Sequence, residues 1–278
     1  RMFAARPSAR RRKRGLAALQ RGDVSAAREL FRDALRTARL GDAWCAAGDA
    51  ASSLGDLEWD AGNLTDAEHH YRIGAVQYRR AERTARSVRG RVRCLEELGD
   101  VLLALGRPRD AYRVFLEGAE VAGVDPDRPA HAGGTGFVTR EDLRWTSHLA
   151  TAAQAAGRRR VAEEHYEAVL SGCETRRDVA GQILCWRGLA ALAADRMAWA
   201  DAAHALENAS NLYSALPDPE AHTDEWVACL RELGAACKTL GRRDEQVRAF
   251  KLAVRLEQIA AEARAAGETM SGDEHRDD

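Results

Sequence analysis

A spacing pattern limits what this chain can fold into more than any property of its composition. In the stretch Leu54 to Gly74, LGDLEWDAGNLTDAEHHYRIG, Gly62 follows Gly55 at an offset of seven, and Ala67, Tyr71 and Gly74 lie five, nine and twelve residues beyond it. With the turn glycine as origin the same offsets recur: Gly22 with Gly15, Ala27, Phe31 and Ala34, and Gly106 with Gly99, Ala111, Phe115 and Gly118. Gly157 carries Ala150, Ala162 and Tyr166, and Gly241 carries Gly234, Phe250 and Ala253. A further copy is assigned to Asp195 in place of the glycine, with Gly188 and Ala200, and with His204 where the aromatic belongs.

Physical reasons account for each position. Seven residues is close to two helical turns, so the first small residue lies on the face of the turn glycine and lets a second helix approach closely. The turn glycine ends the first helix in a left-handed cap. Alanine and an aromatic at i and i+4 of the second helix place a small residue beside a large one, so two antiparallel helices interlock. A lone hairpin cannot bury its apolar faces and must stack on neighbours.

A small residue, turn glycine, alanine, aromatic and second small residue at these offsets resemble the tetratricopeptide (TPR) family, over roughly residues 8–262. The origins at 22, 62, 106, 157, 195 and 241 are 40, 44, 51, 38 and 46 residues apart. Such spacing implies helices longer than the usual TPR unit, similar to kinesin light chains and bacterial Rap-type peptide receptors. No copy ends with the family's proline, and copy one has Arg11 and Arg14 where apolar residues are expected. The implied fold is an all-α, right-handed superhelical solenoid of six TPR-like helical hairpins. Its expected divisions are a basic segment at 1–13, a repeat domain at 14–266 with a long loop at 124–139, and an acidic disordered tail at 267–278.

With 45% hydrophobic and 31% charged residues, the chain has material for a substantial core and no apolar run of membrane-spanning length. A net charge of -1 argues against nonspecific nucleic-acid binding by the whole molecule. Arginine far outnumbers lysine, and with abundant alanine this resembles the product of a GC-rich bacterial genome. None of the six cysteines forms a CxxC pair, which points to reduced structural thiols and a cytoplasmic setting.

Along the chain, residues 1–22 hold seven arginines and Lys13 with no acid before Asp23. The readings, in order, are a solvated basic cap of the first helix, a contact with an anionic partner such as nucleic acid or lipid, and a transit peptide. Arg1 stands before Met2, which is compatible with a missing upstream domain. Asp42 is expected as the N-cap of the second hairpin, and Thr65 or Asp66 opens its second helix. Pro108 suits a first helical turn, and Thr139 with Asp142 forms a capping box. Between them, VDPDRPAHAGGTGFVT exceeds an ordinary connector, and Gly133, Gly134 and Gly136 lack the strand and lysine of a phosphate loop. The last helix is expected from about Asp244 to Ala266.

Chemistry-bearing motifs are sparse. Glu68, His69 and His70 are adjacent in sequence, as are Glu164 and His165, and adjacent residues point to different helix faces instead of converging on a metal. No nucleophile, base and acid constellation or nucleotide motif appears, so no enzyme, cofactor or metal site is expected. The TPR resemblance assigns recognition to the inner face, formed by the first helix of each hairpin. Carried onto this chain it implies Asp49, Ser52, Asp56, Trp59 and Asp60, then Arg93, Glu96 and Asp100 with Leu103 and Ala104, then Arg144, Ser147, Thr151 and Gln154 with Ala155. TPR chaperone adaptors hold a carboxylate with Lys and Asn at places where Asp56 and Asp100 stand here, which disfavours that subclass.

Two readings of the acids follow: they receive a basic or amphipathic peptide with Trp59 as anchor, or they form a solvated face partly paired with Arg93 and other arginines, with Trp59 packed between hairpins. The expected function is a noncatalytic protein- or peptide-binding scaffold or adaptor, with nucleic acid confined to the basic N-terminus. The alternative is a peptide-sensing receptor domain of a bacterial transcriptional or signalling regulator.

Overall fold

The computed structural model describes residues 2–125 and 139–273, with side chains from residue 5 to residue 265. Most of the 124–139 loop, including its glycines and Phe137, lies outside the described residues, as does the tail beyond Asp273. The described chain is an all-α helical repeat of twelve α-helices. It divides into two compact units, Arg1–Arg158 and Arg159–Asp278.

The first unit holds α1 (Met2–Gln20), α2 (Val24–Leu40), α3 (Trp44–Asp60), α4 (Leu64–Arg80), α5 (Ala85–Ala104), α6 (Pro108–Ala122) and α7 (Arg140–Ala155). Each packs on the next, and α1 with α3 and α3 with α5 also touch, so the odd-numbered helices share a face. The second unit holds α8 (Arg159–Arg176), α9 (Val179–Asp195), α10 (Trp199–Tyr213), a short 3-10 turn (Glu220–His222), α11 (Thr223–Thr239) and α12 (Arg243–Asp273), again packed in chain order.

The small-plus-aromatic pattern does what its spacing requires. A Cβ placed on Gly15, Gly55, Gly99 or Gly234 would stand 2.5, 2.6, 2.2 or 2.8 Å from the ring of Phe31, Tyr71, Phe115 or Phe250 respectively. The rings therefore occupy the space that a side chain would need. Phe31, Tyr71 and Phe115 are at most 1% exposed, so each contributes on the order of 2–3 kcal/mol by burial. Caps follow the sequence at several ends: Thr139 and Asp142 close a reciprocal capping box, and Pro108 stands in the first turn of α6.

Three expectations are corrected by backbone geometry. Asp42 is not an N-cap; it takes a left-handed conformation (φ 52°) and Ala43 occupies the cap with no side-chain bond. The turn of the fifth hairpin is at Met197, φ 59°, two residues beyond Asp195, which is still helical. The true counterparts of that copy are Ala190, Ala202, Leu206 and Ala209, all at most 4% exposed, and Leu206 instead of His204 takes the aromatic's place. Helix α12 continues to Asp273, past Ala266.

The corrected register uncovers a longer period. The left-handed turn residues Gly22, Gly62 and Gly106 recur as Gly157, Met197 and Gly241, from 22 to 157, 62 to 197 and 106 to 241, 135 residues each time. Helices α2, α3, α4 and α6 begin 135 residues before α8, α9, α10 and α12, and the 3-10 turn at Glu220 matches the start of α5. Identities are densest in α5–α6 against α11–α12: Val92 and Val227, Cys94 and Cys229, Leu95 and Leu230, Leu98 and Leu233, Gly99 and Gly234, Gly106 and Gly241, Phe115 and Phe250. The chain is thus a tandem repeat with a period of 135 residues.

Candidate functional site

Helices α3, α5 and α7 carry most of the residues that the sequence assigns to recognition, and those residues are joined by a staircase of ion pairs. Asp49 and Asp56 are seven residues apart on α3, and Arg86 and Arg93 are seven apart on α5. Equal spacing on neighbouring helices brings each acid to an arginine. Arg86 donates to Asp49 at 2.5 Å and Arg93 to Asp56 at 2.6 Å. Each acid also accepts a tyrosine hydroxyl from α4, Tyr78 at 2.5 Å for Asp49 and Tyr71 at 2.9 Å for Asp56. Burial, with the adjacent carboxylates, pushes both phenols well above the ordinary tyrosine range. The next step joins α5 to α7, where Glu96 meets Arg144 at 3.4 Å and His148 at 3.0 Å.

The charges on this face do not balance. Asp56, Glu96, Glu97 and Asp100 stand against Arg93, Arg144 and His148. Burial works to raise Glu96, but its hydrogen bond with His148 and the Arg144 charge outweigh it, and its carboxyl is held below the usual value. Glu97 and Asp100 go the other way. Burial and then the Asp56 carboxylate push Glu97 up, with Arg93 offsetting part of this from 4.0 Å. Burial also raises Asp100, and Glu96 adds to the effect against the opposing influence of His148, whose Nδ1 is 3.7 Å away.

The remaining expected residues are spread more widely. Ser52 is 3% exposed and faces the core, so the helical offset that placed it on the open face is overridden by close α3–α4 packing. Trp59 is 37% exposed near the end of α3, beside exposed Asp60. Ser147 is half-buried and its carbonyl accepts the Thr151 hydroxyl at 3.1 Å; Thr151 is exposed and Gln154 half-buried. Sequence reasoning missed Arg86, Glu97 and His148. The matched seven-residue spacing of Asp49/Asp56 and Arg86/Arg93 was the available signal for the first. His148 stacks on Phe115 at 4.8 Å, a contact across two hairpins that no local pattern encodes.

Other reactive groups are dispersed along the chain. His70 is lowered by burial and lies 5.3 Å from His69, ring to ring. Glu68 pairs with Arg72 and Arg107, and Glu164 with Arg160. Cys45 borders a depression of about 420 Å³ lined by Trp44, Arg6 and Arg86, and burial pushes its thiol up, away from the thiolate that a nucleophile requires. Among the described residues no group of three His, Cys, Asp or Glu side chains could hold a metal, and no helix is long and apolar enough to cross a membrane.

No protein-family model matches the sequence, and no curated protein does. Solved structures do match in fold. BtubC (BKLC) from P. vanneervenii superposes with a TM-score of 0.65 at 18% identity, over 87% of this chain and 92% of that one. A Podosopora anserina putative kinesin light chain with nearly identical TPR-like repeats gives 0.59 at 16% identity, over 77% and 96%. The apo form of RapI gives 0.60 at 9% identity, over 88% and 73%. The spacing of small and aromatic residues, the helical hairpins and these likenesses agree: by fold, the chain is a TPR-type repeat protein.

Proposed function

We propose that the chain is a noncatalytic protein-binding scaffold and that the α3–α5–α7 face receives a basic segment of a partner protein. The observation that carries this is the charge imbalance there. Arg86 and Arg93 engage Asp49 and Asp56 from within, whereas Glu97 and Asp100 are half-exposed carboxylates left under-neutralised. A lysine or arginine from outside would relieve both at once, and complementary charge of this kind steers encounter and sets register. Exposed Trp59 supplies an aromatic anchor on the same helix as Asp56. The alternative, a peptide-sensing receptor domain, has in its favour only the fold likeness to RapI.

The test leaves the ion-pair staircase intact. A synthetic amphipathic peptide of lysine and leucine is titrated by fluorescence anisotropy into the full chain and into the Glu97→Gln, Asp100→Asn double variant. Affinity about tenfold weaker in the variant is expected, with a shallower salt dependence. Equal affinity for both proteins would remove the acidic face from recognition.

A further inference from the structure

The tandem repeat gives each surface of one module a counterpart in the other, and one pair of counterparts differs in what covers it. In the first module the outward face of α6 is closed by α7: the Phe115 ring lies 6.3 Å from that of Trp145 and 4.8 Å from that of His148. Phe115 and Ala119 are fully buried as a result. Their counterparts on α12 are Phe250, 36% exposed, and Val254, 50% exposed, with Val247 at 41% one turn earlier. Phe250 still sits on Gly234 of α11 as Phe115 sits on Gly99, so the ring keeps its seat within the hairpin while its cover is different.

Charge distinguishes the α12 face from a bare apolar stripe. Arg248, Lys251 and Arg255 are exposed beside the apolar stripe, and no ion pair among the described residues uses them. At the positions of Lys251 and Arg255, α6 carries Leu116 and Glu120. The α12 face therefore keeps the apolar stripe of a helix-on-helix contact and adds a basic flank. A second copy of this chain is the wrong occupant. Helix α1 is the counterpart of α7, and it presents exposed Arg10, Lys13 and Arg14 where α7 has Trp145, His148 and Leu149. Those cations would meet Lys251 and its neighbours.

We propose that α12 docks an acidic amphipathic helix of a partner protein, seated as α7 is seated on α6. Its apolar stripe covers Val247, Phe250 and Val254, and its carboxylates pair with Lys251 and Arg255.

The experiment pans helical peptides with a fixed leucine stripe against the full chain, in three pools flanked by Asp and Glu, by Lys and Arg, or by Ser and Gln. Binders are then titrated into wild type and into the Lys251→Glu, Arg255→Glu and Val254→Asp variants, all at exposed positions and checked for helicity by circular dichroism. The expected result is enrichment of the acidic pool, with binding about tenfold weaker or worse after the double charge reversal and lost with Val254→Asp. Equal enrichment of the other pools, no enrichment, or acidic binders indifferent to both variants overturns the proposal. A dimer in sedimentation that Val254→Asp dissolves would overturn it in favour of a second copy. Glu97 and Asp100 are unaltered in these proteins, so the outcome is independent of the acidic α3–α5–α7 face.

Discussion

Helices α6 and α12 carry the same motif, a glycine turn followed by an arginine and, eight residues later, a phenylalanine, yet Phe115 is fully buried and Phe250 is 36% exposed. Within each hairpin the environments agree: both rings press on a glycine of the preceding helix, Gly99 or Gly234. The extra cover over Phe115 comes from the next helix, α7. A repeat residue therefore has two parts to its energy, one made inside its own hairpin and one supplied by the neighbour, as expected of a chain whose units meet only in sequence order.

The largest effect that could break this comparison is truncation of the two rings. Phe115→Ala is expected to cost about 4 kcal/mol and Phe250→Ala about 1–2 kcal/mol, measured by chemical denaturation, because only the first removes contacts with two flanking helices. Similar losses at both sites would show that the covering helix contributes little. The turns offer a second comparison of smaller size. Gly62 and Met197 hold the same left-handed position, but Met197 has a Cβ to accommodate and is 74% exposed. Met197→Gly should raise stability by about 1 kcal/mol, seen as a higher melting temperature, and a loss would indicate that its side chain makes a contact worth more than the backbone strain.

The smallest expected effect concerns the charged face. Asp100 is raised above its ordinary 3.8, so the folded state holds its proton more tightly than the unfolded chain does. That contribution to stability is present below pH 3.8 and is lost as the pH rises through the folded value. Asp100→Asn should therefore stabilise the protein at neutral pH by about 0.5 kcal/mol, with the gain fading as the pH falls through the folded value and gone below pH 3.8, and its counterpart Ala235 supplies no such response in the second module. Glu96, held low, has the opposite sign: its contribution is present above 4.5 and lost on acidification. A pH-independent Asp100→Asn effect would exclude the carboxylate's charge as the cause.

How much of this was legible depended on how local the cause was. The Gly55–Gly62–Ala67–Tyr71 spacing located the hairpins because each offset describes contacts within one helix pair. It failed by two residues at Met197, where the chain uses a residue that ordinarily avoids the left-handed region, and that slip hid the 135-residue period. Asp42 failed for a related reason, since an aspartate suits both an N-cap and a left-handed turn and only the backbone distinguishes them. The acids of the proposed recognition face were found by offset, but their partners Arg86 and His148 lie on other hairpins, and Ser52 belongs to the core.

Helices, turns and the aromatic-on-glycine seat inside each hairpin can be read from residue order alone, because they follow from periodicity and excluded volume over a few residues. Which carboxylates are neutralised, and which of two equivalent phenylalanines is buried, could be settled only by the packing of one hairpin on the next. Both depend on what the neighbouring helix brings within a few ångströms, and electrostatic pairing and burial are properties of that neighbour as much as of the residue.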